Sequence, residues 1–110
     1  KVTSIKKINT DTLDNIVLNS KYKNHTFDLL SIDVEGHELD VLKGFDLDKY
    51  SPKVIVVEYL DLNVSKLEIK NLSIENVLSS EIYKYLISKN YILVNSIYCD
   101  LVFVNKSFRD

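Results

Sequence analysis

The chain has 110 residues, of which 45% are hydrophobic and 27% are charged, a balance typical of one globular domain rather than a disordered segment. The net charge of −2 at pH 7 argues against a general nucleic-acid surface, because phosphate binding requires a basic face. No apolar run approaches the ~20 residues of a membrane span, and no signal peptide precedes the first charged segment.

The single cysteine, Cys99, excludes an internal disulfide and favours a reducing compartment, so we expect a cytoplasmic location. No cysteine and histidine spacing supports a structural zinc site. The chain begins at Lys1 and contains no methionine, from which we expect it to be a piece of a longer protein.

The first quarter of the chain carries weak patterns. Residues 1–8 alternate without a clean apolar face and predict at most an edge strand. Polar residues 9–11 offer helix caps, and the apolar spacing that follows them predicts a short helix that fades near Ser20. Residues 21–26 are polar and predict a loop.

The segment after this loop predicts a strand, a turn and a helix. Phe27–Ile32 is apolar in the manner of a strand buried on both faces of a parallel sheet. Asp33 follows at its carboxyl end, where open α/β sheets bind ligands. Glu35 and Gly36 form the turn, and Gly44 can end the next helix in a left-handed cap. The apolar stripe of that helix consists of Leu39, Leu42 and Phe45.

A second apolar strand is predicted over Lys53–Glu58, because four consecutive residues in it are β-branched. Two such strands separated by a helix form a βαβ unit with a right-handed crossover, so they run parallel and end at one edge of the sheet. We therefore expect Asp33 and Glu58 to lie on the same rim.

The last third of the chain predicts a helix followed by a hairpin. Residues 59–72 have a mixed pattern that suits a lid, a binding loop, or a short extra element. Ser73 is a candidate N-cap for one helix of four turns, which Lys89 and Asn90 would close. Tyr91–Val94 and Leu101–Val104 predict two strands with a short link, hence an antiparallel pair.

Several of these segments together resemble the C-terminal half of FkbM-type methyltransferases. They are TLD at Thr12–Asp14, DLLSIDVEGHELDVLKGF at Asp28–Phe45, PKVIVVE at Pro52–Glu58, and the later NYILV and CDLVFVNK. The resemblance implies methyl transfer from S-adenosylmethionine to a hydroxyl of a sugar or related acceptor. The non-catalytic alternative is a remnant or interaction module that keeps the fold and has lost cofactor binding.

The resemblance also implies a fold. It is the α/β, Rossmann-like sheet of class I methyltransferases, with strand order 3-2-1-4-5-7-6 and an antiparallel seventh strand. Residues 1–110 would form one partial domain, with parallel strands 4 and 5, a helix, and an antiparallel 6-7 hairpin.

The family's glycine-rich cofactor loop and ribose-binding acid have no counterpart in this chain. The Phe27–Ile32 strand would then present an unpaired apolar edge. We expect a missing N-terminal half, another copy of the chain, or a partner chain to supply the absent strands.

The candidate site residues follow the two predicted strands. Asp33 is our first candidate for a catalytic base or for orienting the acceptor, and its alternative role is to cap the helix. Glu35 suits the turn and the helix N-terminus, with substrate binding as a further role. Glu58 can bind a sugar hydroxyl or instead tie the strand end to a backbone amide.

His37 is the second candidate catalytic residue, as an auxiliary base or an acceptor contact, because its pKa normally lies near neutral pH. The D-x-E-x-H spacing that it completes with Asp33 and Glu35 is not a sharp metal motif, so we predict no metal. A response-regulator receiver is disfavoured, because the required acid pair and lysine are not correctly placed.

Overall fold

The computed structural model describes residues 3–59 and 74–109. Within these ranges the chain forms six helices and four strands. In chain order they are α1 (Leu13–Leu18), β1 (Leu29–Ile32), α2 (Glu38–Lys43), α3 (Leu47–Tyr50), β2 (Val54–Glu58), α4 (Ile74–Ser79), α5 (Glu81–Ser88), β3 (Tyr91–Ile97), β4 (Asp100–Asn105) and α6 (Lys106–Arg109).

The four strands form one mixed sheet in the order β1-β2-β4-β3. β1 and β2 are parallel, whereas β4 runs antiparallel to both of its neighbours, β2 and β3. A parallel pair followed by an antiparallel hairpin is the arrangement that the sequence predicts for this part of the sheet. The architecture is mixed α/β and is compatible with a methyltransferase-like fold.

The core lies on one face of this sheet. The register aligns Ile32 with Val57 and Val57 with Leu101 across three neighbouring strands, and all three side chains are buried. α2 and α5 contact each other, and both contribute leucines to this core. The fully buried side chains that complete it include Leu42, Ile55, Val77, Leu86, Tyr91 and Phe103. Because this core packs β1 and β2 together with the C-terminal hairpin, it fixes where the two parallel strands end.

β1 is an edge strand in the described part of the sheet, as the sequence predicts. It pairs with β2 on one side, and on the other side the order of strands ends with it. Leu29, at its start, is 58% exposed. An apolar edge strand with free backbone groups is a surface for pairing with another strand.

Residues 3–8, for which the sequence predicts at most an edge strand, form neither strand nor helix. Ile5 is 88% exposed and Ile8 is 80% exposed. The physical reason is that the segment has no apolar face to bury, so nothing offsets the entropy lost on ordering a strand.

The single four-turn helix predicted before the hairpin is also wrong, because α4 and α5 are separate helices with Ser80 between them. Ser80 has extended backbone angles, and its side chain accepts a hydrogen bond from the Tyr83 amide. A serine that caps a new helix in this way interrupts the old one even where the apolar spacing continues.

Gly44 does end α2, but with φ of −85° rather than in the predicted left-handed cap. Among the described residues, Asn90 has φ of 68° after α5, as its position after that helix predicts. The predicted cap Ser73 and nearly all of the mixed segment, residues 60–72, lie outside the described residues. None of the described helices has the length and apolar character needed to cross a membrane.

Candidate active site

Three carboxylates lie together where the two parallel strands end. Asp33 follows β1, Glu58 is the last residue of β2, and Glu35 lies in the turn after β1. Oxygens of these three side chains are all within 4.8 Å of one another. The structure therefore brings together three of the four residues singled out from the sequence. Exposed acidic groups are common without a bound ion, so proximity alone identifies no metal site.

The position of Glu58 is fixed by its neighbours on both sides of β2. The preceding residue, Val57, aligns with Ile32 of β1, and Glu58 itself aligns with Asp100 of β4. Immediately after Glu58, the Tyr59 amide donates a 2.7 Å hydrogen bond to the Cys99 carbonyl in the hairpin loop. Glu58 is thus held on a rigid central strand rather than on a loop.

The environment of Glu58 favours its protonated form. Its pKa is raised from 4.5 to about 7, first by burial, then by a hydrogen bond and charge repulsion from Asp33, and further by the charges of Glu35 and Glu38. The residue is half-buried, and its Oε1 atom is buried without a hydrogen-bond partner among the described residues. Near neutral pH, Glu58 can therefore carry a proton that it donates to Asp33.

The turn that carries Glu35 has an unusual backbone. Glu35 has φ of 54° and the next residue, Gly36, has φ of 99°. Glycine adopts such angles without steric cost, but for a glutamate the left-handed region is sparsely populated. The turn therefore needs contacts that hold it in place.

Glu38 supplies those contacts, although it is not among the site residues predicted from the sequence. It is the first residue of α2 and only 2% exposed. Its carboxylate accepts hydrogen bonds from the Val34 amide at 2.7 Å and from the Gly36 amide at 3.0 Å. The sequence does carry one signal for this role: an acid at the start of a helix, two residues after a Glu-Gly turn. From that position a side chain can accept hydrogen bonds from the free amides of the turn.

His37 lies apart from the three carboxylates. Its side chain is 77% exposed, and its Nδ1 is 3.4 Å from Asp40 in the next helical turn. In the described part of the chain, the D-x-E-x-H spacing does not assemble into a set of ligands around one point. His37 and Asp33 both line a cleft beside the carboxylate group.

That cleft has a volume of about 760 Å³ and lies between β1, the start of α2 and the segment before α1. Asp33, His37 and Asp40 are among its polar lining residues. Asp33 therefore belongs both to the carboxylate group and to a cleft large enough for a small-molecule acceptor.

A second cleft, of about 460 Å³, is lined by Lys53 and Lys89 near the start of β2 and the end of α5. Both lysines already have an acidic partner, Asp28 at 2.9 Å and Asp48 at 3.4 Å. None of the four site residues predicted from the sequence lines this cleft.

A family model for the methyltransferase FkbM domain matches residues 1–93 of the chain. The chain belongs to the FkbM methyltransferase family. The matched range includes α1, β1, β2 and the whole carboxylate group of this FkbM domain. No curated protein and no solved structure gives a significant match.

Membership in a methyltransferase family implies S-adenosylmethionine as the general methyl donor, but the glycines of this FkbM domain do not fit its usual cradle. A Cβ added to Gly44 would lie 3.3 Å from the Thr12 Cβ, so this glycine lets α2 approach the start of α1. A Cβ on Gly36 would meet nothing within 4 Å, so the positive φ is what favours glycine there. Gly44 therefore serves helix packing and Gly36 serves the turn, and the two glycines do not form a G-x-G arrangement.

Proposed function

We propose that this FkbM domain forms the acceptor side of an S-adenosylmethionine-dependent O-methyltransferase. The observation that supports the proposal is the pairing of Asp33 with Glu58 at the carboxyl ends of adjacent parallel strands, with Asp33 also lining a 760 Å³ cleft. Ligand sites in open α/β sheets lie at this edge.

The acceptor in this proposal is a hydroxyl compound, most simply a sugar or a glycan. Asp33 is the catalytic base, because an ionised carboxylate can accept the hydroxyl proton as the oxygen becomes a nucleophile. Glu58 and Glu35 bind neighbouring hydroxyl groups. Glu58 suits this role because its buried Oε1 has no partner among the described residues, and such an atom gains by accepting a hydrogen bond.

His37 is the second residue proposed to act on the acceptor. It lies on the wall of the same cleft as Asp33, and its ring is exposed. From there it can contact the acceptor or accept a proton from it, assisting Asp33 rather than replacing it.

The methyl donor is proposed to be held by residues beyond those described, because the two glycines do not form a cradle for it. A missing N-terminal half or a second copy would supply that cradle, so residues 1–110 would be one partial domain. The exposed edge of β1 supports this proposal, since a further strand can pair there. A cytoplasmic location remains a prediction that rests on the unpaired Cys99.

The test is methyl transfer by the full-length protein from methyl-labelled S-adenosylmethionine to a panel of sugars and sugar-containing lipids. We expect Asp33→Asn to lower kcat by ~10²- to 10⁴-fold, the usual contribution of a general base. Asp28→Asn is the matched control, because Asp28 lies at the opposite end of the same strand and pairs with Lys53. Equal activity of the two variants would overturn the role of Asp33.

The second candidate function is a non-catalytic interaction module. The observation that favours it is the absence of a fitting glycine cradle among the described residues. Calorimetric titration of S-adenosylmethionine and its demethylated product into the full-length protein separates the two candidates. Saturable binding supports the enzyme, whereas no heat from either ligand supports the interaction module.

A further inference from the structure

Glu38, the first residue of α2, is a buried carboxylate whose charge is not balanced by an ion pair among the described residues. It is a carboxylate at 2% exposure, and among the described residues it forms no salt bridge. Burying a charge is costly unless hydrogen bonds compensate for lost water. Its compensation comes from the Val34 and Gly36 amides, which donate to Oε2 at 2.7 Å and to Oε1 at 3.0 Å.

These two amides flank the residues that carry the carboxylate group. Val34 directly follows Asp33, and Gly36 directly follows Glu35. A single side chain thus fixes the backbone on the C-terminal side of both acids. Because Glu35 has φ of 54°, the turn would otherwise relax toward more populated angles, and the acids would move with it.

We propose that Glu38 is a positioning residue of the active site, holding Asp33 and Glu35 against Glu58 through the Val34 and Gly36 amides. This inference rests on the proposed function for its catalytic consequence. Its geometric content, the placement of the turn, stands independently of any activity.

Two substitutions separate the effect of the length of the Glu38 side chain from the effect of its charge. Glu38→Asp keeps the negative charge but shortens the side chain by one methylene, so it cannot bridge both amides. Glu38→Gln keeps the length but replaces one acceptor oxygen with an NH₂ group, which faces an amide donor instead of accepting from it. Glu81→Gln is the control, because the Glu81 side chain is 76% exposed in α5 and lies outside the cleft that Asp33 lines.

The first measurement uses nuclear magnetic resonance on the full-length protein, with amide exchange read at Val34 and Gly36 and the titration of Glu58 read from its carboxyl carbon. We expect each Glu38 variant to lose at least ~10-fold in exchange protection at one or both of these amides, since each variant weakens or loses a hydrogen bond. The Glu58 midpoint should fall in Glu38→Asp as Asp33 and Glu35 move away. Glu38→Gln also removes a charge that raises the pKa of Glu58 directly, so Glu38→Asp is the variant that tests positioning by this readout. The Glu81→Gln variant should match the wild type in both readouts.

The second measurement is kinetic and uses the methyl-transfer assay. Both Glu38 variants should lower kcat by at least ~10-fold with little change in KM for S-adenosylmethionine, because a small displacement of a base affects the chemical step. If Glu38→Asp keeps the exchange protection, the Glu58 midpoint and kcat of the wild type, the positioning role is overturned and charge alone matters. If the wild type transfers no methyl group, the proposed function fails, while the resonance data still decide whether Glu38 places the turn.

Discussion

The carboxyl groups of Asp33 and Glu58 meet across two adjacent parallel strands, although no lysine or arginine forms a salt bridge with either in the described part of the chain. Two like charges this close cannot both ionise without cost, and this repulsion helps burial to raise the pKa of Glu58 to about 7. The rigid strand end of Glu58 and the turn held by Glu38 maintain this contact. A protonated Glu58 is therefore held where it can donate a hydrogen bond to Asp33.

The first prediction concerns the pH dependence of stability. The pKa of Glu58 is about 7 in the folded protein and 4.5 when unperturbed. Between these values the folded state binds more protons than the unfolded state, so the free energy of unfolding falls as pH rises from about 4.5 to about 7 and then levels off. Glu58→Gln should remove this pH dependence. By pH 8, the free energy of unfolding of the variant should have gained on the order of 2 kcal/mol relative to that of the wild type.

Urea unfolding of the two proteins between pH 4.5 and 8.5 measures this difference. Glu81→Gln is a suitable control, because Glu81 is 76% exposed and its ion pair with Lys84 is on the surface. Parallel stability curves for the wild type and Glu58→Gln would show that folding does not shift the pKa of Glu58, contrary to the prediction.

A second prediction concerns Glu35. Asparagine tolerates left-handed backbone angles better than glutamate, so Glu35→Asn should preserve the turn and leave stability within about 0.5 kcal/mol of the wild type. The same change removes a negative charge that raises the pKa of Glu58, so the Glu58 midpoint should fall. Titration of the carboxyl-carbon resonance of Glu58 provides the measurement. An unchanged midpoint would mean that the charge of Glu35 does not affect the pKa of Glu58.

The third prediction is for Tyr91, a buried residue whose hydroxyl donates a 2.6 Å hydrogen bond to the Pro52 carbonyl. This bond joins the start of β3 to the residues that precede β2. Tyr91→Phe should lower the free energy of unfolding by about 1–3 kcal/mol, because the carbonyl loses its buried donor. Tyr98→Phe, at a side chain that is 75% exposed, should have no measurable effect in the same urea titration.

Ser80 gives a fourth prediction. Its hydroxyl accepts from the Tyr83 amide at the start of α5, so Ser80→Ala should cost about 1 kcal/mol of stability, as the loss of an N-cap usually does. Ser79→Ala, one residue earlier, removes only a hydroxyl that bonds the Asn76 carbonyl within α4. Equal melting temperatures for the two variants would mean that α5 needs no cap.

The sequence predicts best where one physical signal dominates. Consecutive β-branched residues identified β2, and the parallel βαβ rule placed Asp33 and Glu58 on the same rim. The break at Ser80 was missed because apolar spacing continued through it, while a single side-chain hydrogen bond decided the local structure. Glu38 was missed for a related reason, since a buried acid inside an amphipathic pattern has the same spacing as a solvated one.

The order of strands has a consequence for synthesis. Among the strands that the structure describes, β4 is the last along the chain, yet it lies between β2 and β3 in the sheet. While a ribosome is still adding residues before Asp100, β2 lacks its antiparallel neighbour and the strand end at Glu58 lacks one of its two supports. The carboxylate group therefore reaches its final geometry only after the hairpin has left the exit tunnel, and a nascent chain stalled before that point exposes two apolar strand edges to chaperones.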